Sequence, residues 1–301
     1  MSTPPSHRAL PLLAVSTTLV LWASAFVAIR HLGHDFSPGA LTVGRLAVAS
    51  VVLGLYAAHR GLVRPSRADW WRLLAIGALW YAVYNLALNE GEQRVDAGTA
   101  ALLIQFAPVV LAFLAATFLG ERFTRELGVG LVVALAGVAL ITLSRSDGSE
   151  RDVLGVLLCL VAAVSYAISL TLQKPVMRSL PAGQVTWLSC TIGLVLCLPF
   201  TGDLVRQVGE APTSSTWWLV YLGLFPTAVA FTTYAYALAH MDASRLGVTT
   251  YLVPVITIVM AWALLGETPV ALAYVGGALA MLGVGITRRR PRRPAEVPVP
   301  A

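Results

Sequence analysis

The sequence predicts an all-α integral membrane protein: ten transmembrane helices arranged as two inverted five-helix repeats. Three observations carry this expectation. First, only 12% of the 301 residues are charged while 57% are hydrophobic. A soluble domain carries about 25% charged residues, so most of this chain must have lipid as its solvent. Second, ten apolar runs follow one another, each close to the roughly 20 residues that a membrane helix needs. Third, two stretches match at a fixed offset of 146 residues. Asp96-Ala97, Pro108-Val109, Leu119-Gly120-Glu121, Val129-Gly130 and Gly137-Val138 recur as Asp242-Ala243, Pro254-Val255, Leu265-Gly266-Glu267, Val275-Gly276 and Gly283-Val284. With Ala115/Ala261 and Ala134/Ala280 this makes 13 identities over 43 ungapped positions.

The predicted spans, in order, are 10–29, 39–58, 71–92, 97–119, 127–144, 153–173, 183–201, 216–239, 244–266 and 270–287. The first is longer than a signal-peptide core and has no clear small-x-small cleavage site, so it reads as a retained helix. The second contains Arg45. The third turns polar toward its end, and the fourth opens the first copy of the repeated block. The fifth carries Gly130 and Gly137, small residues that let helices approach closely. The sixth holds Cys159. The seventh holds Cys190 and Cys197, two turns apart on one helix and unable to bridge each other. The eighth has a polar set of its own: Thr232, Thr233, Tyr234 and Tyr236. The ninth and tenth carry the second copy, with Gly276 and Gly283 in the tenth. The longest link, about 202–215, has no domain of its own.

Loop charge sets the orientation. With the N-terminus in the cytoplasm, 15 basic residues fall inside and 5 outside, with Arg45 within the membrane. Both termini are therefore expected to be cytoplasmic. Each half crosses five times, so the second enters from the opposite side. The expected units are residues 10–145 and 153–288, with a basic, proline-rich cytoplasmic tail at 289–301. Inverted repeats of this kind build alternating-access carriers with substrate near the midplane. The net charge of +6 does not indicate nucleic acid, because its residues sit in short loops and in the tail. That tail, RRRPRRP, reads as a stop anchor.

Candidate site residues follow from depth and spacing. Pro108 and Pro254 lie within matching helices, where proline removes an N–H and frees the carbonyls of Ile104 and Thr250. Gln105 and Tyr251 stand just before them and are deep and polar. Tyr81, Asn85, Asn89 and Glu92, spaced 4, 4 and 3, share one face of the third helix. Such a stripe turns toward the bundle interior or water. Trp22 and Ser24 give the first helix an inward polar pair, with Ser165, Tyr166 and Ser169 in the matching region of the second half. Tyr234 represents the eighth helix. Arg45 is a candidate to pair with a carboxylate such as Glu92 or to meet an anionic group. Glu92 is a candidate for proton coupling. Against each stands a plain structural role: a proline bend, aromatic packing, or an interhelical hydrogen bond of about 0.6 kcal/mol. Glu121 and Glu267 read as structural. His31, His34 and Asp35 resemble a metal cluster but lack a further ligand, so no metal is expected. HExxH, GxSxG, GxxxxGK[ST] and CxxC are all absent from the sequence, so no cofactor, ATP site or enzymatic activity is expected.

The duplicated block, from Pro108 through Leu119-Gly120-Glu121 to Gly130 and Gly137 and again from Pro254 through Glu267 to Gly276 and Gly283, resembles the EamA domain of the drug/metabolite transporter superfamily. WASAFVAIR at 22–30, Arg45 and VDAGTAALL at 95–103 agree with that family, and the likeness runs over about 13–145 and 153–288. The resemblance implies a bacterial inner-membrane carrier, often an exporter of amino acids, metabolites or toxic compounds. It also implies a cavity shared by the third, fourth, eighth and ninth helices. Its partners would be a small-molecule substrate, the lipid bilayer and, as candidate coupling ion, protons. Two departures are the lack of a second-half arginine matching Arg45 and the presence of Pro226 in the eighth helix. The alternatives are a non-transporting receptor or assembly protein, or a membrane-embedded lipid-modifying enzyme.

Overall fold

The computed structural model describes residues 6–118, 125–143, 153–240 and 249–287. Glu121, Asp242 and the 289–301 tail lie outside them. Ten helical rods run through the described residues, which contain no strand. They are α1 (Ser6–Leu32), α2 (Pro38–Arg60), α3 (67–94), α4 (97–118, broken at 105–106), α5 (Arg125–Leu143), α6 (Val153–Val176), α7 (Ala182–Cys197), α8 (213–240), α9 (Leu252–Leu265) and α10 (Ala271–Thr287). Five helical stretches are long and apolar enough to cross a membrane: Leu10–Leu32, Pro38–Arg60, Arg67–Glu92, Val153–Gln173 and Ala182–Glu210. Ala97–Leu111, Gly128–Leu140, Leu252–Leu265 and Ala271–Gly283 form shorter apolar helices.

Local signals explain the boundaries. Ser37 caps α2 by accepting from the Ala40 N–H, with Pro38 in the first turn. Ser66 and Asp69 form a reciprocal capping box on α3. Asp96 accepts from the Thr99 N–H at 2.8 Å to start α4. Gly266 ends α9 in the left-handed region, φ 68°, its N–H directed at the carbonyls of Ala261 and Trp262. That conformation is why a glycine follows the leucine in Leu265-Gly266-Glu267.

Two expectations are corrected. The 202–215 link is not all loop: Thr201–Glu210 is helical. Asp203, Arg206 and Glu210 pair along it at helical spacing. Pro108 and Pro254 are not mid-helix kinks. Each lies in the first turn of a helical segment that restarts after a break, Ala107–Phe118 and Leu252–Leu265. A proline there forfeits no helical bond.

The offset of 146 extends beyond the identical residues. Both α3 and α8 contain a π-helical segment, Gly77–Val83 and Gly223–Val229, at positions 146 apart. Packing follows the same relation: α5 pairs with α10 and α2 with α7, while α1 packs on α8 and α9 as α6 packs on α3 and α4. At the α5–α10 crossing a Cβ on Gly137 would stand 2.5 Å from Ala280 N and Gly276 O. One on Gly283 would stand equally close to Ala134 N and Gly130 O, so only glycine permits this approach. Outside, Leu55, Val132, Val205, Trp217 and Trp262 are all more than 60% exposed, an apolar surface suited to lipid rather than water.

Candidate functional site

Seven rods, α1, α2, α3, α4, α6, α8 and α9, surround a central cavity of about 340 Å³. That volume is in the range of small-molecule sites. Its walls are largely aromatic. Trp22 of α1 stacks on Tyr234 of α8 with centroids 5.0 Å apart. Trp80 of α3 meets Tyr166 of α6 at 5.0 Å and Phe231 of α8 at 5.1 Å. Tyr84 faces Tyr166 at 6.1 Å. The rings thus come from helices of both halves.

The π segments shape the polar part. Asn85, 4% exposed, donates from Nδ2 to the carbonyls of Trp80 and Tyr81 at 3.2 and 2.9 Å. A π turn displaces the backbone ladder, and Asn85 serves the displaced carbonyls. Its Oδ1 is buried without a partner. In the matching segment the Thr227 hydroxyl donates to Leu222 O at 3.0 Å and accepts from Arg45 Nε at 2.8 Å. Arg45 is 7% exposed, and its Nη1 has no hydrogen-bond partner. Gln105, in the α4 break, donates from Nε2 to Thr250 O at 2.8 Å. The carbonyl that sequence analysis expected Pro254 to free is thus held by Gln105 from the other half.

Of the residues predicted from sequence, Trp22, Arg45, Tyr81, Asn85, Gln105, Pro108, Tyr166 and Tyr234 border the cavity. The others do not. Ser24 hydrogen-bonds the Tyr221 hydroxyl at 2.7 Å, outside the cavity. Asn89 donates to Thr42 and the Pro38 carbonyl, tying α3 to α2 beyond the cavity's end. Tyr251 packs beside Val109 and Ala134, on the side toward α4 and α5. Pro254 is buried away from the cavity. Glu92 is fully buried with neither carboxylate oxygen hydrogen-bonded, and no ion pair joins it to Arg45 among the described residues. The guanidinium is held by Thr227 instead.

An ion pair does join the two halves at that end, Arg30 Nε to Glu267 Oε1 at 2.9 Å. Arg30 Nη1 also donates to the backbone carbonyls of Glu92 and Gln93. Asp35 accepts from Ser215 at 2.6 Å, and His31 packs on Trp218. Sequence reasoning missed Trp80, Tyr84, Thr227 and Phe231. The 146-residue offset, extended through α3 and α8, pairs Tyr81 with Thr227 and Asn85 with Phe231, and was the signal available.

Comparison with known proteins agrees with this architecture. The EamA-like transporter family matches residues 9–143 and again 153–289. A "Probable terminal-alkyne amino-acid exporter" of Streptantibioticus cattleyicolor is 38% identical over 288 residues, covering 95% of this chain and 96% of its own. An "Uncharacterized transporter YdfC" of Bacillus subtilis is 32% identical over 274 residues, covering 90% and 89%. One crystal structure superimposes with a TM-score of 0.62 at 20% identity over 92% of this chain and 96% of that one, a likeness of fold.

Proposed function

The chain belongs to the EamA-like transporter family, and we propose that it is a secondary-active carrier that exports small metabolites, amino acids or drugs. It does so by alternating access through the central cavity. The observation that carries this reading is a ring of side chains drawn from both halves around one cavity. In this reading all ten rods span a bacterial inner membrane as two inverted repeats, 10–145 and 153–288, with both termini cytoplasmic. Aromatic belts support that frame: Trp70 and Trp71 begin α3, and Trp217 and Trp218 stand near the start of α8, all exposed. The name of the Streptantibioticus relative favours export and places amino acids among the substrates. Among the described residues bordering the cavity none is Asp, Glu, His, Cys, Ser or Lys, which favours a binding chamber over an acid–base site.

The cavity follows α6 to Gln173 and past its end to Met177, toward the cytoplasm in this frame. The Arg30–Glu267 pair closes the outer side. The described conformation is then the inward-facing one. Protons are the proposed coupling ion and Glu92 their carrier. Replacing it, Glu92→Gln, should leave exchange intact and abolish the response of net transport to a pH gradient. An unchanged response would dismiss Glu92.

Uptake into inverted membrane vesicles tests the site. Gln105→Ala and Trp80→Ala should slow transport by at least about tenfold at equal expression. Tyr251→Phe, outside the cavity, should stay within about twofold. Normal rates in the first two would take the cavity out of the pathway.

A further inference from the structure

We infer that the corner joining α2 to α3 is a docking surface for the headgroups of anionic phospholipids, set in the membrane interface beside the mouth of the cavity. The inference rests on the membrane frame of the carrier reading and not on its substrate. Between Tyr56 and Leu74 the chain carries Arg60, Arg64, Arg67 and Arg72 against a single carboxylate, Asp69. That carboxylate is 4% exposed and already occupied: it accepts from the Ser66 hydroxyl at 2.6 Å and the Ser179 hydroxyl at 3.1 Å. Arg72 stands 3.9 Å from it. Arg60, Arg64 and Arg67 are exposed and have no ion pair among the described residues. The Ser179 bond also brings the exposed Arg178 of the second half to this corner, next to Met177 at the cavity's end. The corner is therefore positive, with its one acid turned inward.

It is also rigid and lies at headgroup depth. α2 ends at Arg60 and α3 begins at Arg67, so the link stands where two apolar spans leave lipid. Gln184 of α7 clamps it, accepting from the Val63 N–H at 2.9 Å and donating to the Val63 carbonyl at 2.6 Å. The Ser66–Asp69 capping box fixes its other end. Leu62, Val63, Trp70, Trp71 and Leu74 are exposed alongside the arginines. A soluble polyanion would cover the charges and leave these apolar side chains in water, whereas a phospholipid covers both. Arg60 and Arg72 lie over the rings of Tyr56 and Trp71, 5.5 and 5.3 Å from the centroids. A guanidinium stacked on a ring keeps its N–H edge for a phosphate, which it can meet with two parallel bonds. With no exposed carboxylate to neutralise the corner, it favours a lipid of net negative charge over a zwitterionic one. Loop charge that only orients the chain needs neither the clamp nor the stacked rings.

Native mass spectrometry of delipidated full-length protein, with dioleoylphosphatidylglycerol or dioleoylphosphatidylethanolamine added, tests this. The anionic lipid should bind at least about tenfold more tightly. Arg64→Gln with Arg67→Gln should weaken that binding at least about tenfold, at about fivefold for each basic group taken from an anionic surface. Arg64→Lys with Arg67→Lys should retain part of it. Arg292→Gln with Arg293→Gln removes the same charge from the tail and should stay within about twofold. Equal binding of the two lipids, or an equal loss in the tail variant, would overturn the docking surface. So would displacement of the lipid by an equal concentration of glycerol phosphate. Transport that still depends on Gln105 after any of these results would leave the carrier standing. A lipid preference that persists in a protein whose transport ignores the cavity would leave the docking surface standing and the carrier site lost.

Discussion

Asn85 borders the cavity and donates to the Trp80 and Tyr81 carbonyls, while its oxygen is buried without a partner. Replacing it with leucine keeps the bulk and strands both carbonyls, each worth about 1–3 kcal/mol when buried and unsatisfied. Asn85→Leu should therefore lower the unfolding temperature in detergent as well as impair transport. Ser24→Ala makes the opposite case. It removes the bond to Tyr221 but nothing that borders the cavity, so transport should stay within about twofold. An effect as large as that of Gln105→Ala would place Ser24 back in the pathway. At this scale the sequence was readable by depth and face. Tyr81 and Asn85 on one stripe both border the cavity. What a single sequence cannot supply is the neighbour that a face meets: Asn89 lies on the same stripe yet is spent on Thr42.

The π segments at Gly77–Val83 and Gly223–Val229 are the elements on which the site depends. They are where α3 packs on α7 and α8 on α2. A Cβ on Gly77 would stand 2.5 Å from Ile192 Cγ2, and one on Gly223 2.6 Å from Arg45 O. Gly223→Val would thus push directly on the backbone that carries Arg45. We expect it to destabilise the fold by about 1–3 kcal/mol and to weaken substrate binding, read from thermal unfolding and from the transport KM. Gly77→Val, which crowds the stiff branch point of Ile192 and the Ser189 carbonyl, should destabilise to a similar extent but leave the Arg45 backbone untouched and so affect the transport KM less. A larger KM effect from Gly77→Val than from Gly223→Val would mean that the two segments do not act as described. Neither segment was legible in the sequence, because the identities that revealed the repeat lie at 96–138 and its copy. Helix starts and stops were easier to read: Asp96 and Gly266 are short-range signals whose partners lie within a turn or so.

For the whole molecule the account turns on two halves moving about one cavity. The Arg30–Glu267 pair is the cross-half ionic contact at the end opposite Met177. Joining these positions by a disulfide, Arg30→Cys with Glu267→Cys, should stop transport and a reductant should restore it; undiminished transport in the cross-linked protein would remove this contact as a gate. The repeat and the apolar runs made the all-helical architecture readable from sequence, since each is a property of many residues together. The content of the cavity was less so, because it depends on α1 crossing to pack against α8 and α9. Counterflow in proteoliposomes holding the purified protein tests the central claim most directly. An alternating-access carrier predicts that, for a compound whose uptake depends on Gln105 and Trp80, the unlabelled compound inside accelerates entry of the labelled one, saturably, with the acceleration lost in Gln105→Ala. Entry of that compound without trans-acceleration would contradict it.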